Sequence, residues 1–443
     1  MIRFLFIAVC LLIAAAAPGG QPGWTTVEVP LTTPAQATLL QRGGYDIWET
    51  RDGKALIYAS PADLDQLERD GFSPVAVDSP ALRASAKSVD GYPTFNEYVA
   101  QMNQWVADYP GLVSLTSIGQ SVEGRELWML KISDNVATDE IDEPEFLFIG
   151  LQHAREWLAG TTLQGLIQYV LDHKDTDPRA AAAINNFQIY VLLVSNPDGY
   201  VYTQTTDRLW RKNRRNNGNG TYGVDINRNF PFRWNNGTTS TSSFDYRGTA
   251  PLSEPEAAAL NTWVLSRNGR VKGFLNYHTY GNHVMHSWAY TTAVAPGVEI
   301  MDPLVNDMAA AMHAVHGQTF DPGSWGVALG YTGQGVTDDE FHAVYGIPSI
   351  TTEVRPYTDE EGGFVVPATY IQPTIDEQLE GMFVMLNWIY VRATDPTAPM
   401  ISNLAYTRLS TTSVRVHWTT DDACDREADY GVTLSDFGTH VQP

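Results

Sequence analysis

The feature that most constrains the fold is the regular alternation of short apolar segments with longer helical patterns between residues 91 and 393. Apolar or β-branched runs typical of strands occupy 127–132, 145–151, 188–195, 271–277 and 348–352. Helical patterns occupy 158–173, 253–267, 303–316 and 368–391. Two further signals, Thr94 with Glu97 and Ser253 with Glu256, have the spacing of capping boxes that begin helices. This alternation predicts an α/β sheet covered by helices on both faces.

A smaller unit precedes this region. Residues 24–82 carry strand and helix signals in the order β-α-β-β-α-β, with an Asp52-Gly53 turn between the second and third strands. That order is typical of a split βαβ domain of the α+β class. Residues 83–90 are small and polar, which predicts an exposed, cleavable linker. We therefore expect a propeptide-like domain that keeps the chain poorly active until the linker is cut near Arg83 or Lys87; the alternative is a folding chaperone or a simple accessory domain.

Both ends of the chain differ in composition from its middle. Residues 1–17 combine one basic residue, a short apolar run and small residues, as in a secretory signal peptide, so we expect export without a membrane span. After removal of that segment Cys424 is alone, which leaves no disulfide. Residues 397–443 alternate like the first strands of a fibronectin-type-III-like sandwich, and a disordered end is the alternative interpretation.

Charge limits the possible partners. The 51 acidic residues exceed the 28 basic ones, giving −23 at neutral pH, and a field of this sign repels phosphate backbones. The basic cluster at 211–215 is therefore not interpreted as a nucleic-acid site, and Arg214 and Arg215 are expected to be solvated. We predict no nucleic-acid partner and a monomeric protein.

Polar side chains follow three of the predicted strands. His153 and Glu156 come just after one strand, His278 follows a second, and Glu353 closes a third. Ligands of open α/β sheets gather beyond the carboxyl ends of the strands, so these residues are expected to converge. Two imidazoles and one carboxylate leave the fourth position of a zinc ion open, which is typical of catalytic sites.

A histidine three residues before a glutamate is weak evidence alone, because the chain contains 10 histidines. The accompanying motifs make it specific, and together they resemble the zinc carboxypeptidases of the carboxypeptidase A/B family over roughly residues 91–393. The matching segments, in order, are GQSVEGR from Gly119, HARE from His153, NPDG from Asn196, RLWRK from Arg208, DINRN from Asp225, HTY from His278, and the stretch from Tyr331 to Glu353. We expect a secreted, bacterial member with a mixed sheet of the eight-stranded type.

The resemblance implies one zinc ion per catalytic domain, held by His153, Glu156 and His278. It implies that Asp225 orients His153 from behind. Glu353 resembles the general base of the family, and this position on a strand end is also accessible to a substrate.

The remaining roles concern the substrate, a peptide or protein with a free C-terminus. Arg211 resembles the residue that stabilises the oxyanion. Asn227 and Arg228 resemble the pair that binds the C-terminal carboxylate, and Tyr331 the mobile tyrosine that closes over it. Arg155 resembles an accessory arginine of the peptide-binding groove.

Asp338 is similar to the residue below the C-terminal side chain in the basic-specific branch of the family. An acid at this position favours C-terminal Lys or Arg, although a broad preference stays open. Glu340 departs from that branch and is expected either to add negative charge or to face solvent.

Two alternative functions are a zinc peptidase acting on cell-wall peptides of the γ-D-glutamyl-diaminopimelate type and a catalytically inactive binding protein. Four other histidines are interpreted as structural, namely His283, His286, His316 and His342.

Overall fold

A computed structural model describes residues 23–83, 91–293, 301–394, 401–408, 414–420, 428–430 and 439–441 of the 443-residue chain. The predicted signal peptide at 1–17, residues 84–90 of the predicted linker, and Cys424 lie outside these residues. None of the helices in the described part combines the length and the hydropathy that a bilayer crossing requires.

The N-terminal unit is a four-stranded antiparallel sheet with two main helices. Its elements are β1 (Thr25–Pro30), α1 (Pro34–Gly43), β2 (Asp46–Arg51), β3 (Lys54–Ala59), α2 (Pro61–Arg69), β4 (Val75–Val77) and a short α3 (Pro80–Arg83). The sheet order is β2-β3-β1-β4. Asp52 and Gly53 both have positive φ, 50° and 73°, as a two-residue turn matching the strand twist requires. The order of the first six elements is the one that the sequence predicts.

The main domain is built on one mixed sheet of eight strands. The strands are β5 (Val113–Gln120), β6 (Glu126–Ile132), β7 (Glu145–Ile149), β8 (Gln188–Leu192), β9 (Val271–Thr279), β10 (His283–His286), β11 (Asp321–Ser324) and β12 (Ser349–Val354). Their order in space is β11-β10-β12-β9-β7-β8-β6-β5. The four central strands β12, β9, β7 and β8 run parallel, so their carboxyl ends meet at one edge.

Nine helices of the described main domain flank this sheet. They are α4 (Phe95–Asp108), α5 (Trp157–Asp172), α6 (Pro178–Asn185), α7 (Pro197–Thr205), α8 (Pro255–Ser266), α9 (Asp302–His316), α10 (Trp325–Ala328), α11 (Thr337–Tyr345) and α12 (Ile371–Thr394). Successive residues of β7 enter different cores: Phe146 and Phe148 pack with α5 and α12, whereas Leu147 packs with α8. Both faces are therefore buried, which confirms the predicted α/β class.

Some predicted details are wrong. α8 begins after Glu254, whose side chain does not cap it, and Ser253 Oγ donates to Glu254 instead of forming the predicted capping box. β5, β10 and β11 were not predicted.

In the tail, β13 (Ile401–Arg408) pairs antiparallel with β14 (Val414–Thr420), and β15 (Ala428–Tyr430) with β16 (Thr439–Val441). β13 and β14 lie within the range 397–443, in which the sequence shows the alternation of strands.

Candidate metal centre

His153 and Glu156 lie in the connection between β7 and α5. The chain leaves β7 through Leu151, whose φ is +51°, and Glu156 is the last residue before α5 begins. The Ala154 N–H donates to the Arg211 carbonyl at 2.9 Å, which fixes the connection against the loop that carries Arg211. The tight path brings both side chains to the carboxyl end of the sheet.

His278 and Glu353 reach the same point from neighbouring strands. β9 and β12 run parallel with His278 directly opposite Glu353. Directly paired residues of adjacent strands have side chains on the same face. The convergence predicted for strand ends is therefore what the structure shows for these four residues.

The three predicted ligands form one compact, buried group. Glu156 Oε1 lies 2.8 Å from His153 Nδ1, and Glu156 Oε2 lies 2.9 Å from His278 Nδ1. The two Nδ1 atoms are 3.0 Å apart. Two imidazole nitrogens and a carboxylate facing one point are the donor set of a catalytic zinc ion, and a divalent cation would satisfy all of them. The residues present thus fit zinc.

Asp225 lies behind this group. Its Oδ1 is 3.3 Å from His153 Nε2, the nitrogen that faces away from Glu156, and its Oδ2 accepts from Arg211 Nε and NH2 at 3.0 and 2.9 Å. The Asp225 carboxylate is fully buried. Although burial opposes ionisation, Arg211 and His153 hold the pKa of Asp225 well below its usual value. One carboxylate therefore orients both an imidazole and a guanidinium.

Glu353 is half-buried, and in the part of the chain that the structure describes no cation forms an ion pair with it. Its Oε2 has no hydrogen-bond partner among the described residues. Burial raises the pKa of Glu353 to about 8, and His278 opposes the rise. A carboxyl group with a raised pKa and a free oxygen, next to a metal site, has the properties of a general base.

Asn227 and Arg228 lie in the loop after Asp225. Asn227 Oδ1 accepts from the Thr337 N–H at 2.9 Å and from Thr337 Oγ1 at 3.1 Å, which fixes the amide so that its Nδ2 is the free donor. Arg228 Nη1 donates to the Asn227 carbonyl at 2.8 Å. Tyr331 lines a cleft together with Arg211 and Glu353, and its hydroxyl is close enough to Arg228 for the two groups to interact electrostatically.

Asp338 lies in the first turn of α11 and interacts electrostatically with His278. Thr351 Oγ1 donates to its Oδ1 at 2.7 Å and Asn276 Nδ2 to its Oδ2 at 3.3 Å. Burial raises the pKa of Asp338, and these hydrogen bonds oppose the rise. Glu340 is buried and its carboxylate accepts from the Phe232 N–H at 2.7 Å. The expectation that Glu340 faces solvent is therefore wrong, and the added negative charge stays a prediction.

Arg214 and Arg215 are only partly exposed to solvent, and both have partners within the protein. The Arg214 guanidinium stacks over Tyr202 at 3.6 Å and lies 4.6 and 4.9 Å from the rings of Trp210 and Tyr222. Arg215 donates to Glu254 at 3.0 Å. These contacts stabilise the loop that carries Arg211.

The four histidines interpreted as structural have varied surroundings. His286 Nε2 pairs with Asp302 at 2.8 Å and His316 Nδ1 with Glu377 at 3.1 Å. The His342 ring contacts Trp288, whereas His283 is buried in the cleft and its Nδ1 has no hydrogen-bond partner among the described residues.

Two acidic residues near the site, Asp46 and Asp245, were missed by the sequence analysis. Asp46 of the N-terminal unit forms a two-bond ion pair with Arg155, at 2.7 and 2.8 Å, so Arg155 lines the cleft with its guanidinium already paired. Asp245 Oδ1 lies 3.6 Å from Nη2 of both Arg211 and Arg228. The available signal was the number of arginines assigned to the site, since buried arginines require carboxylates nearby.

Comparison with known proteins agrees with this geometry. Residues 98–381 match the family model described as zinc carboxypeptidase. The chain is 33% identical to carboxypeptidase O of Bos taurus over 307 residues, covering 67% of this chain and 80% of that protein. It is also 33% identical to carboxypeptidase B of Astacus astacus over 303 residues, covering 67% of this chain and 97% of that protein.

Solved structures show the same fold. Carboxypeptidase A from Helicoverpa armigera superposes with a TM-score of 0.73 at 23% identity, over 84% of this chain and 98% of that one. Bovine thrombin-activatable fibrinolysis inhibitor, in complex with tick carboxypeptidase inhibitor, superposes with a TM-score of 0.61 at 26% identity, over 69% of this chain and 98% of that one.

Proposed function

The chain belongs to the zinc carboxypeptidase family, and from this premise we propose that it releases C-terminal amino acids, preferentially lysine and arginine, from peptides and proteins. It is a metallocarboxypeptidase, a hydrolase with one catalytic zinc ion. The observation that carries the proposal is the buried group of His153, Glu156 and His278, with Glu353 beside it on the next strand.

We assign the chemistry to residues around this group. When bound, zinc polarises the scissile carbonyl and lowers the pKa of a water molecule. Glu353 would take a proton from the attacking water and later deliver it to the leaving amine, which its free Oε2 supports. Arg211 would stabilise the negative charge that develops on the carbonyl oxygen, since Asp225 holds its guanidinium in a fixed position.

The free C-terminus would be bound by Asn227, Arg228 and Tyr331. The fixed amide of Asn227 presents Nδ2, and Arg228 presents a planar donor group that suits a carboxylate. Both side chains are buried, so we expect only the terminal residue of a chain to reach them. This arrangement supports an exopeptidase rather than an internal cut.

The preference for lysine and arginine rests on Asp338. Its buried carboxylate has no cation bonded to it among the described residues, and burial raises its pKa. A basic side chain entering beside it would supply the missing positive charge and favour ionisation. An apolar side chain would leave the buried carboxylate without a counter-ion.

We propose in addition that the N-terminal unit keeps the enzyme latent. With that unit in place, the cleft bounded by Trp48, Arg155, Glu353 and their neighbours has a volume of about 50 Å³. Such a space holds a few water molecules but not a peptide. Cutting the linker at 83–90, near Arg83 or Lys87, would allow the unit to leave.

Secretion through residues 1–17 and a bacterial source stay predictions, and the relatives reported above are from animals.

The central test uses the full chain, loaded with zinc and cut in the linker after folding. We expect release of C-terminal Lys or Arg from matched peptides, loss of activity with a chelator, and recovery when zinc is added. Glu353→Gln should bind zinc normally but lose at least about 1,000-fold in kcat, because the proton acceptor is removed while the ligands stay. Activity that survives both treatments would overturn the proposed function.

A further inference from the structure

Asp245 lies between the two arginines that face the substrate. Its Oδ1 is 3.6 Å from Arg211 NH2 and 3.6 Å from Arg228 NH2. The Asp245 side chain is 12% exposed, so its charge is only partly screened by water. A single carboxylate oxygen therefore faces both of the cations that would receive the anionic parts of a bound peptide.

Neither arginine depends on Asp245 for its position. Arg211 is held by two hydrogen bonds to Asp225, at 3.0 and 2.9 Å. Arg228 is held by the Asn227 carbonyl at 2.8 Å and lies over the Trp325 ring at 5.7 Å. A separation of 3.6 Å is too long for a hydrogen bond, so Asp245 acts on both arginines through its charge.

The position of Asp245 is set by its own loop and by the N-terminal unit. The Asp245 N–H donates to Ser243 Oγ at 3.1 Å, and Ser243 Oγ donates to the Gly44 carbonyl at 3.0 Å. Gln41 Nε2 donates to Asp245 Oδ2 at 3.3 Å. The hydrogen bond to Ser243 lies within the main domain, so we expect it to persist when the N-terminal unit leaves.

We propose that Asp245 is a specificity-determining residue that limits how tightly the cleft holds the carboxylate of a substrate or product. This inference rests on the proposed function, because it takes Arg211 and Arg228 as the groups that meet the substrate. The Asp245 carboxylate offsets part of their positive charge and repels a second carboxylate brought to Arg228. The released amino acid carries such a carboxylate, so Asp245 favours its departure.

The test is the substitution Asp245→Asn in the full chain, loaded with zinc and cut in the linker. Asparagine keeps the shape and removes the charge. We expect KM for a peptide with C-terminal arginine and the inhibition constant of free arginine each to fall about tenfold, since a negative charge near the binding arginines is lost. If either constant is unchanged or rises, the proposal is wrong; a rise would mean that Asp245 only positions the arginines.

Three controls separate charge from folding and from the proposed function. Asp245→Glu keeps the charge and should stay within about twofold of wild type. Asp321→Asn removes a carboxylate that is 39% exposed and lies near His283, away from both arginines, and should also change neither constant. Asp245→Ser replaces Asp245→Asn if that variant does not bind zinc. A wild-type enzyme that releases no C-terminal residue contradicts the proposed function, whereas an active wild type with an unaltered Asp245→Asn contradicts this inference alone.

Discussion

Asp338 is a buried carboxylate whose two oxygens are bonded by different neighbours, Thr351 and Asn276. Substitution Asp338→Asn keeps the size and removes the charge. We expect kcat/KM for C-terminal Lys and Arg to fall about 100-fold or more, because a cation would then be buried without a partner. Release of C-terminal Phe and Leu should change less than about fivefold, as followed with four peptides that differ only at the last residue.

The matched control for Asp338 is Glu340→Gln, two residues further along α11. Glu340 bonds to the Phe232 N–H and does not contact Asp338, so its substitution should leave the ratio of basic to apolar release unchanged. Equal losses for all four peptides in Asp338→Asn would show that the residue supports folding rather than specificity.

Glu256 gives a pH dependence of stability. Burial raises its pKa to about 7, despite hydrogen bonds from the Val122 N–H and Asn213 Nδ2. A raised pKa in the folded state stabilises folding below the ordinary value of 4.5, and this contribution is lost as pH rises through about 7. The free energy of unfolding of Glu256→Gln minus that of wild type should therefore increase by about 3 kcal/mol from pH 4.5 to pH 8.

Urea unfolding of the two zinc-loaded proteins at several pH values would measure this difference. The control is Glu68→Gln, a substitution of an exposed carboxylate in α2. A constant difference between Glu256→Gln and wild type across the pH range would contradict the raised pKa.

At the residue scale the strand pattern predicted the side chains at strand ends, whereas Arg211, Asn227 and Arg228, which lie outside the strands, came from the family resemblance alone. His153 follows β7, and His278 and Glu353 lie at the ends of β9 and β12, so their convergence follows from the geometry of a parallel sheet. Asp245 lies in a polar loop whose path depends on contacts with distant residues, such as Gly44. No local pattern predicts such contacts.

Strands were predictable where a uniformly buried run was also apolar; β10 is buried throughout but was missed, because two of its four residues are histidines. β7 and β8 are buried throughout and appear in the sequence as apolar runs. β5 is only half-buried and its residues include Ser, Thr and Gly, while β11 is an edge strand containing Pro322 and Gly323. Edge strands tolerate such residues because one side of the backbone needs no partner, so their sequences do not show a strand pattern.

The helix α4 allows a test of a predicted element. Thr94 Oγ1 accepts from the Glu97 N–H at 3.2 Å, and Glu97 Oε2 accepts from the Thr94 N–H at 2.7 Å, which confirms the predicted capping box. Thr94→Ala should lower the free energy of unfolding by about 1 kcal/mol. Thr94→Ser keeps the hydroxyl and should lose less than half of that in the same urea titration; equal losses would show that the methyl group, not the cap, matters.

For the whole molecule, the contact between the two domains was beyond prediction. The N-terminal unit was recognisable from its own pattern, but the bonds between Asp46 and Arg155 join residues 109 positions apart in the chain. Trp48 and Tyr58 of that unit pack with Tyr280 and Phe364 of the main domain in one buried cluster. The sequence could predict two folded units and a linker; how one covers the other depends on complementary surfaces.

The buried pair of Asp46 and Arg155 makes latency testable at this scale. Asp46→Asn leaves the Arg155 guanidinium buried without its counter-ion, which favours separation of the two domains. We expect the uncut, zinc-loaded chain to gain at least about tenfold in peptide hydrolysis, and the cut chain to match wild type because no residue of the catalytic cleft changes. Asp65→Asn, in an exposed position of α2, is the matched control and should leave the uncut chain as inactive as wild type. If the ratio of cut to uncut activity is the same in Asp46→Asn and wild type, the ion pair does not hold the N-terminal unit over the cleft.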